Sequence, residues 1–125
     1  MNFVLAFLRS CGYAFAGIRH GLISQRNLRI QAVCTLAAVG LSLWLGLSPL
    51  EWAVLFLTLA GVMACEMVNT ALETTLDLIS REQHPLIGIA KDVAAGAVLI
   101  WALASLGVAV CLWGPKLLRL MAIGS

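Results

Sequence analysis

The chain has 125 residues, of which 62% are hydrophobic and only 11% are charged, and its mean hydropathy is +0.99. These polar residues are too few to cover the surface of a water-soluble globule. The composition therefore excludes a soluble domain and predicts an integral membrane protein. The formal net charge of +2 is small and the basic residues are dispersed, which argues against a nucleic-acid partner. The length suits one domain over residues 1–125.

Residues 3–23 mix apolar and basic side chains. Phe3, Phe7 and Phe15 occur in the same segment as Arg9 and Arg19. This mixture is typical of an amphipathic helix that lies in the membrane interface. Three glycines in this segment weaken a helix, so we expect a break or a close contact near one of them. The segment lacks a basic start and a clear cleavage site, so we expect it to remain in the protein.

Three apolar segments follow, and each is long enough to cross the hydrocarbon core of a bilayer: residues 28–47, 50–79 and 90–113. The second is longer than the roughly 20 residues that a span needs, so its last turns should protrude toward water. Pro115 is predicted to end the third. The sequence therefore predicts an all-α membrane protein with three transmembrane helices and an N-terminal surface helix.

The positions of the basic residues predict the orientation of the spans. They flank the start of the first span and the loop between the second and third, whereas the turn at 46–51 has none. By the positive-inside rule, the N-terminus and the second loop should be cytoplasmic. Lys116 and Arg119 favour the opposite orientation but are outnumbered by Arg9, Arg19, Arg26, Arg29, Arg81 and Lys91.

The second span carries a polar stripe, defined by Glu66, Asn69, Glu73 and Asp77. Spacings of three, four and four residues place these side chains on one face of a helix. Carboxylates at membrane depth are costly, so they usually mark chemistry or ion movement. With the predicted orientation, the stripe lies toward the cytoplasmic face.

Lys91 and Asp92 are predicted at the same face, and the combined set suits a divalent cation with a polyphosphate. Mg²⁺ takes carboxylate oxygens together with phosphate and water, and a lysine neutralises the remaining phosphate charge. No phosphate-binding G-x-x-x-x-G-K-[ST] loop is present. An ion-coupled small transporter that uses Glu66, or a structural membrane subunit without turnover, explains these residues nearly as well. The residues alone leave this choice open.

Two long motifs resemble those of the prokaryotic diacylglycerol kinase and undecaprenol kinase family. Residues 66–77, EMVNTALETTLD, resemble its E-x-x-N-[ST]-A-[IL]-E-x-x-x-D signature, and residues 90–99, AKDVAAGAVL, resemble its A-K-D-x-x-[AS]-[AG]-A-V-L stretch. Residues 12–18, GYAFAGI, and 26–30, RNLRI, match its N-terminal pattern. The Asn-Thr-Ala form and Pro115 are more similar to the undecaprenol kinase branch.

The resemblance implies a homotrimer in the inner membrane of a bacterium that uses Mg-ATP to phosphorylate a membrane lipid alcohol, either undecaprenol or diacylglycerol. It implies that Glu66 is the general base and that Glu73 is a metal ligand. The implied nucleotide-site residues are Asn69, Asp77, Lys91 and Asp92, and we add two candidates from the N-terminal helix, Arg9 and Tyr13.

One position departs from the family. Gln25 stands where the family usually has a glutamate that is its second protein ligand for the metal. Glutamine keeps a carbonyl oxygen but lacks the negative charge, so we expect Gln25 to face the metal site with a lowered Mg²⁺ affinity.

Overall fold

The structure, a computed structural model, describes residues 2–79 and 84–123. Within these residues the chain forms four α-helices: α1 (Phe3–Ser24), α2 (Arg26–Leu45), α3 (Pro49–Ile79) and α4 (Pro85–Ile123). Helices α2, α3 and α4 are long and apolar enough to cross a membrane. The predicted all-α architecture with three spans after an N-terminal helix is therefore confirmed.

Helices α1 and α2 are separated by one extended residue, Gln25, with φ −104° and ψ 121°. Its N–H donates to the carbonyl oxygen of Gly21 at 2.8 Å, so the last turn of α1 stays hydrogen-bonded up to the break. Gly21 is buried, and a Cβ there would lie 2.8 Å from Cδ2 of Leu28. The contact predicted near a glycine of this segment occurs at Gly21, where the missing side chain lets α2 pack closely.

Helices α2 and α3 are joined by a short turn whose conformation follows from its sequence. Gly46 ends α2 with φ +66°, a left-handed conformation that glycine adopts without steric cost. Ser48 and Glu51 then form a capping box: the Ser48 N–H donates to Oε2 of Glu51 at 2.6 Å, and the Glu51 N–H donates to Oγ of Ser48 at 3.3 Å. Pro49 begins α3 at a position that needs no N–H donor.

The most extensive helix contact lies between α3 and α4, and Gly61 determines how closely they approach. The ring of Trp101 lies directly over Gly61, where a Cβ would be 2.5 Å from two ring atoms. A small residue at a helix crossing lets two membrane helices pack without a gap. Gly61 therefore sets the separation of the two spans that carry most of the predicted site.

Replacing Gly61 with alanine should lower the free energy of unfolding by about 1–3 kcal/mol, because the Trp101 ring must shift to admit the methyl group. Thermal or detergent-induced unfolding of the purified protein measures this. Gly107→Ala in α4 is the control, because a Cβ at Gly107 meets nothing within 4 Å. An equally small effect of both substitutions would contradict the close packing of α3 on α4.

The prediction that Pro115 ends the last helix is wrong, since α4 continues through it to Ile123. Contacts on both sides of the proline hold the chain helical: Nε1 of Trp113 donates to Oγ of buried Ser42 at 3.0 Å, and Nζ of Lys116 lies 3.1 Å from Oε2 of Glu51. Neighbouring helices commonly compensate for a proline within a membrane helix in this way. The ends of α2, α3 and α4 opposite the polar stripe are thereby tied together.

Candidate active site

The polar stripe of α3 runs from a buried to an exposed position. Glu66 is 3% exposed and Asn69 is 8% exposed, whereas Glu73 is half-buried and Asp77 is exposed. The four positions span about 16 Å along the helix axis. A ligand that approaches from the exposed end would meet Asp77 first and Glu66 last.

Asn69 and Glu73 form a hydrogen-bonded pair in the middle of the stripe. Nδ2 of Asn69 donates to Oε1 of Glu73 at 3.2 Å, as expected for residues one helical turn apart. This bond fixes the orientation of the Asn69 amide, whose Oδ1 is then buried without a hydrogen-bond partner. A buried acceptor without a donor is unfavourable by about 1–3 kcal/mol, so Oδ1 is poised to accept a ligand's donor or to bind a cation.

Glu66 is the most buried charged residue in the part of the chain that the structure describes. None of the described residues gives its side chain a hydrogen bond or an ion pair. A carboxylate on a buried residue of a candidate membrane span is rare and costly when no side chain pairs with it. The position therefore suits a group that receives a proton during a reaction.

Asp77 and Lys91 join the end of α3 to the start of α4. Nζ of Lys91 lies 2.5 Å from Oδ1 of Asp77, and the two side chains are 34% and 65% exposed. An ion pair so accessible to solvent contributes at most about 1 kcal/mol to stability. Its structural effect is to hold the Lys91 ammonium beside the exposed end of the stripe.

The remaining predicted site residues make no polar contact with the stripe within this one chain. Asp92 is exposed next to Lys91, Arg9 and Tyr13 are exposed on α1, and Gln25 is half-buried at the α1–α2 junction. Among the described residues, their side chains form no hydrogen bond or ion pair with the stripe. The structure thus pairs Asn69 with Glu73 and Asp77 with Lys91. It pairs none of Asp92, Arg9, Tyr13 and Gln25 with the stripe.

The donor atoms at the stripe fit a hard divalent cation in chemistry and in number. Among residues 2–79 and 84–123, no group of three or more histidine, cysteine or acidic side chains forms a complete metal site. Mg²⁺ usually needs only one or two carboxylates, because substrate phosphates and water complete its shell. The Glu73 carboxylate, with the unpartnered Oδ1 of Asn69 beside it, supplies such oxygens.

The structure adds one residue that the sequence analysis did not assign. Gln31 lies in α2, and its Oε1 is buried without a hydrogen-bond partner among the described residues. The sequence feature that could have identified Gln31 is an amide side chain within an otherwise apolar span. Such a side chain usually either hydrogen-bonds to a neighbouring helix or belongs to a functional site.

Comparison with known proteins identifies the family. The sequence profile of the prokaryotic diacylglycerol kinase family matches residues 12–113. A diacylglycerol kinase of Synechocystis sp. is 44% identical over 115 residues, covering 91% of this chain and 66% of that protein. An undecaprenol kinase of Bacillus subtilis is 37% identical, covering 89% of this chain and 90% of that protein. A diacylglycerol kinase of Escherichia coli is 34% identical, covering 74% and 76%.

The match covers the first two candidate spans and most of the third, and it includes every residue of the polar stripe. The buried carboxylate, the paired amide and the exposed lysine thus lie on the part of the fold that these proteins share. The chain belongs to the prokaryotic diacylglycerol kinase family, a family of lipid kinases.

Proposed function

We propose that this protein transfers the γ-phosphoryl group of ATP to the hydroxyl group of a membrane lipid alcohol at the cytoplasmic face of the inner membrane, with its N-terminus in the cytoplasm. The observation that supports this most directly is the burial of Glu66, which lies further from the exposed end of α3 than the Asn69–Glu73 pair. A lipid alcohol would reach Glu66 through the membrane, whereas a nucleotide would reach the stripe from water.

In the proposed mechanism Glu66 acts as general base. Its carboxylate accepts the hydroxyl proton while the alcohol oxygen forms a bond to the γ-phosphorus, and the bond to the bridging oxygen breaks to release ADP. The buried position keeps water, a competing nucleophile, away from the reacting hydroxyl.

The residues nearer to water bind the nucleotide in this proposal. Glu73 would hold Mg²⁺, with Gln25 in a weakened second position, and Asn69 orients the Glu73 carboxylate through its hydrogen bond. When bound, Mg²⁺ supplies positive charge that stabilises the charge developing on the transferred group. Lys91, positioned by Asp77, adds a second positive charge beside the phosphates, and Asp92, Arg9 and Tyr13 are further nucleotide contacts.

A homotrimer is part of the proposal. Gln25, Arg9 and Tyr13 form no hydrogen bond or ion pair with the stripe of their own chain, and large apolar side chains are exposed along every helix. Association of copies would cover apolar surface and bring helix α1 of one copy to the stripe of another.

The direct test is transfer of labelled phosphate from ATP to lipid alcohols in mixed micelles. Diacylglycerol and undecaprenol are the first substrates to compare, because relatives of both names match this chain. Labelled phosphate in the lipid fraction supports the proposal. If neither alcohol yields labelled lipid, and the protein instead carries an electrogenic ion flux in liposomes without ATP, the kinase proposal is refuted in favour of the ion-coupled transporter.

Substituting Gln25 with glutamate should lower the Mg²⁺ concentration required for half-maximal activity by about tenfold, because the new carboxylate adds a charge at the proposed second ligand. A Mg²⁺ titration at saturating ATP measures the change. Asn27→Asp is the matched control, since it adds the same charge at an exposed position two residues away. An unchanged requirement in Gln25→Glu removes Gln25 from the metal site.

A further inference from the structure

The last two turns of α4 extend past the rest of the bundle, and the mechanism above does not use them. Nζ of Lys116 lies 3.3 Å from the carbonyl oxygen of Gly46, so Lys116 is close to the level of the turn between α2 and α3. Residues 117–123, the C-terminal extension, continue the helix by about 10 Å beyond that level. The family profile ends at residue 113, so the extension lies outside the part of the chain that the profile matches.

The C-terminal extension exposes large apolar side chains around the whole helix. Leu118 is 65% exposed, Met121 is 63% exposed and Ile123 is 84% exposed, and Leu117 and Leu120 are exposed as well. Burying a side chain of this size is favourable by about 1.5–3 kcal/mol relative to leaving it in water. A helix that is apolar on all sides belongs inside a protein or in a membrane. The extension is therefore poorly suited to project into water.

The length of α4 places the extension at the membrane surface opposite the polar stripe. Asp92 is exposed beside Lys91, near the start of α4 and at the exposed end of the stripe. Arg119 lies about 40 Å further along the helix axis. This distance exceeds the roughly 30 Å of the hydrocarbon core and matches the roughly 40–45 Å of a bilayer with its headgroup layers. With Asp92 at one surface, Arg119 lies among the headgroups of the other.

Arg119 has no counter-ion within the described part of the chain. Its side chain is exposed and forms no hydrogen bond or ion pair with the described residues, whereas Lys116 already pairs with Glu51. No acidic residue follows Asp92 in the sequence, so the extension itself offers none. A guanidinium group binds phosphate through two parallel N–H donors. The phosphate of a phospholipid is available at the depth where Arg119 lies.

We propose that the C-terminal extension anchors the protein in the leaflet opposite the polar stripe, with its apolar side chains among the upper acyl chains and Arg119 bound to the phosphate of an anionic phospholipid. A second copy of the extension is a poorer partner for it, because contact between equivalent extensions in a symmetric oligomer would bring the Arg119 side chains together. The proposal needs only that the chain spans the membrane, and it does not depend on the kinase activity.

The anchor also accounts for the two basic residues that oppose the predicted orientation. Lys116 and Arg119 lie at the end of the bundle where the positive-inside rule expects few cations. Glu51 balances the charge of Lys116 within the protein. In the proposal a lipid phosphate balances the charge of Arg119, so neither residue leaves an uncompensated charge at that surface.

A tryptophan reporter at the end of the extension tests its insertion. Ile123→Trp adds a fluorophore, whose signal is the difference between this variant and wild type in the same bilayers. Phosphatidylcholine brominated near the headgroup end of its chains should quench the added signal, and iodide in the water should quench it only weakly. Strong quenching by iodide without quenching by the brominated lipid would place the extension in water and overturn the anchor.

Weak quenching by both reagents would place the extension against protein and would overturn the anchor as well. A lower oligomer mass for Leu118→Gln than for wild type would then identify a second copy as the partner.

The same reporter tests the role of Arg119. In phosphatidylcholine bilayers, brominated phosphatidylglycerol should reach half-maximal quenching at about a fivefold lower mole fraction than brominated phosphatidylcholine, the effect of one basic residue at a lipid surface. Arg119→Gln in the Ile123→Trp background should remove most of this preference. Arg119→Lys is the matched control, because it keeps the charge and should keep most of the preference. An equal preference with and without Arg119→Gln would overturn the assignment of Arg119 to a lipid phosphate.

These measurements separate the anchor from the proposed function, because they need neither ATP nor a lipid alcohol. Quenching of the reporter by brominated lipid, in a protein that phosphorylates no lipid alcohol, would refute the kinase proposal and support the anchor.

Discussion

Replacing Glu66 with glutamine is expected to lower kcat for lipid phosphorylation by about 10²–10⁴-fold, the range that a positioned general base contributes. Glutamine has nearly the same shape but cannot accept the hydroxyl proton. Because the side chain is buried without a partner among the described residues, removing its charge should leave the fold intact or make it more stable. Labelled phosphate transfer measures kcat, and thermal unfolding measures the stability.

Glu51→Gln is the matched control for that experiment. It makes the same chemical change on the same helix, about 22 Å away along the axis, and it removes the carboxylate that pairs with Lys116. We expect Glu51→Gln to lower stability slightly and to leave kcat near the wild-type value. Retention of more than a tenth of the wild-type kcat by Glu66→Gln would remove Glu66 from the role of base.

Glu73→Ala is expected to have the second-largest effect on activity, through weaker binding of Mg-ATP. Loss of the proposed metal ligand should raise the Mg²⁺ requirement by about 100-fold or more, since even supporting residues around a metal are worth about 10–100-fold. Asn69→Ala removes the residue that orients Glu73, so it should raise the Mg²⁺ requirement by about 10–100-fold. Titrations of Mg²⁺ at fixed ATP, with activity and nucleotide binding as readouts, compare the two variants.

The exposed stretch of the same helix provides the control for Glu73. Thr74 is the neighbouring residue, and its hydroxyl donates to the backbone carbonyl of Thr70 instead of reaching the stripe. Thr74→Ala should therefore leave the Mg²⁺ requirement unchanged. Equal Mg²⁺ requirements in Glu73→Ala, Thr74→Ala and wild type would contradict the assignment of Glu73 as the ligand.

Much of the fold could be predicted because the membrane restricts what an apolar chain can do. Within lipid a single segment satisfies its own backbone hydrogen bonds only as a helix, so long apolar runs predict spans directly, and Gly46 with Pro49 marks the turn between two of them. The helix end at Pro115 could not be predicted. It depends on Lys116 reaching Glu51 and on Trp113 reaching Ser42, contacts between residues about 70 positions apart in the sequence.

The site was predictable in part for a similar reason. Helical spacing alone places Asn69 beside Glu73, which the structure confirms. The Asp77–Lys91 pair joins two helices, so only the fold could show it, and the unpaired acceptor of Gln31 likewise becomes visible only in the folded chain. The assignment of Gln25, Arg9 and Tyr13 to the site, whether within one chain or from another copy, stays a prediction.

Lys116 and Trp113 make contacts at the end of the bundle opposite the polar stripe, and these contacts affect how the product is released. At that end α2, α3 and α4 are fastened by a buried hydroxyl, an ion pair that is only partly accessible to solvent, and a bond from Lys116 to the Gly46 carbonyl. At the end that carries the polar stripe, α3 and α4 are linked by the solvent-accessible pair of Asp77 and Lys91, which salt weakens readily. Thermal opening of the bundle should therefore pivot about the fastened end, and ADP should leave faster as ionic strength rises.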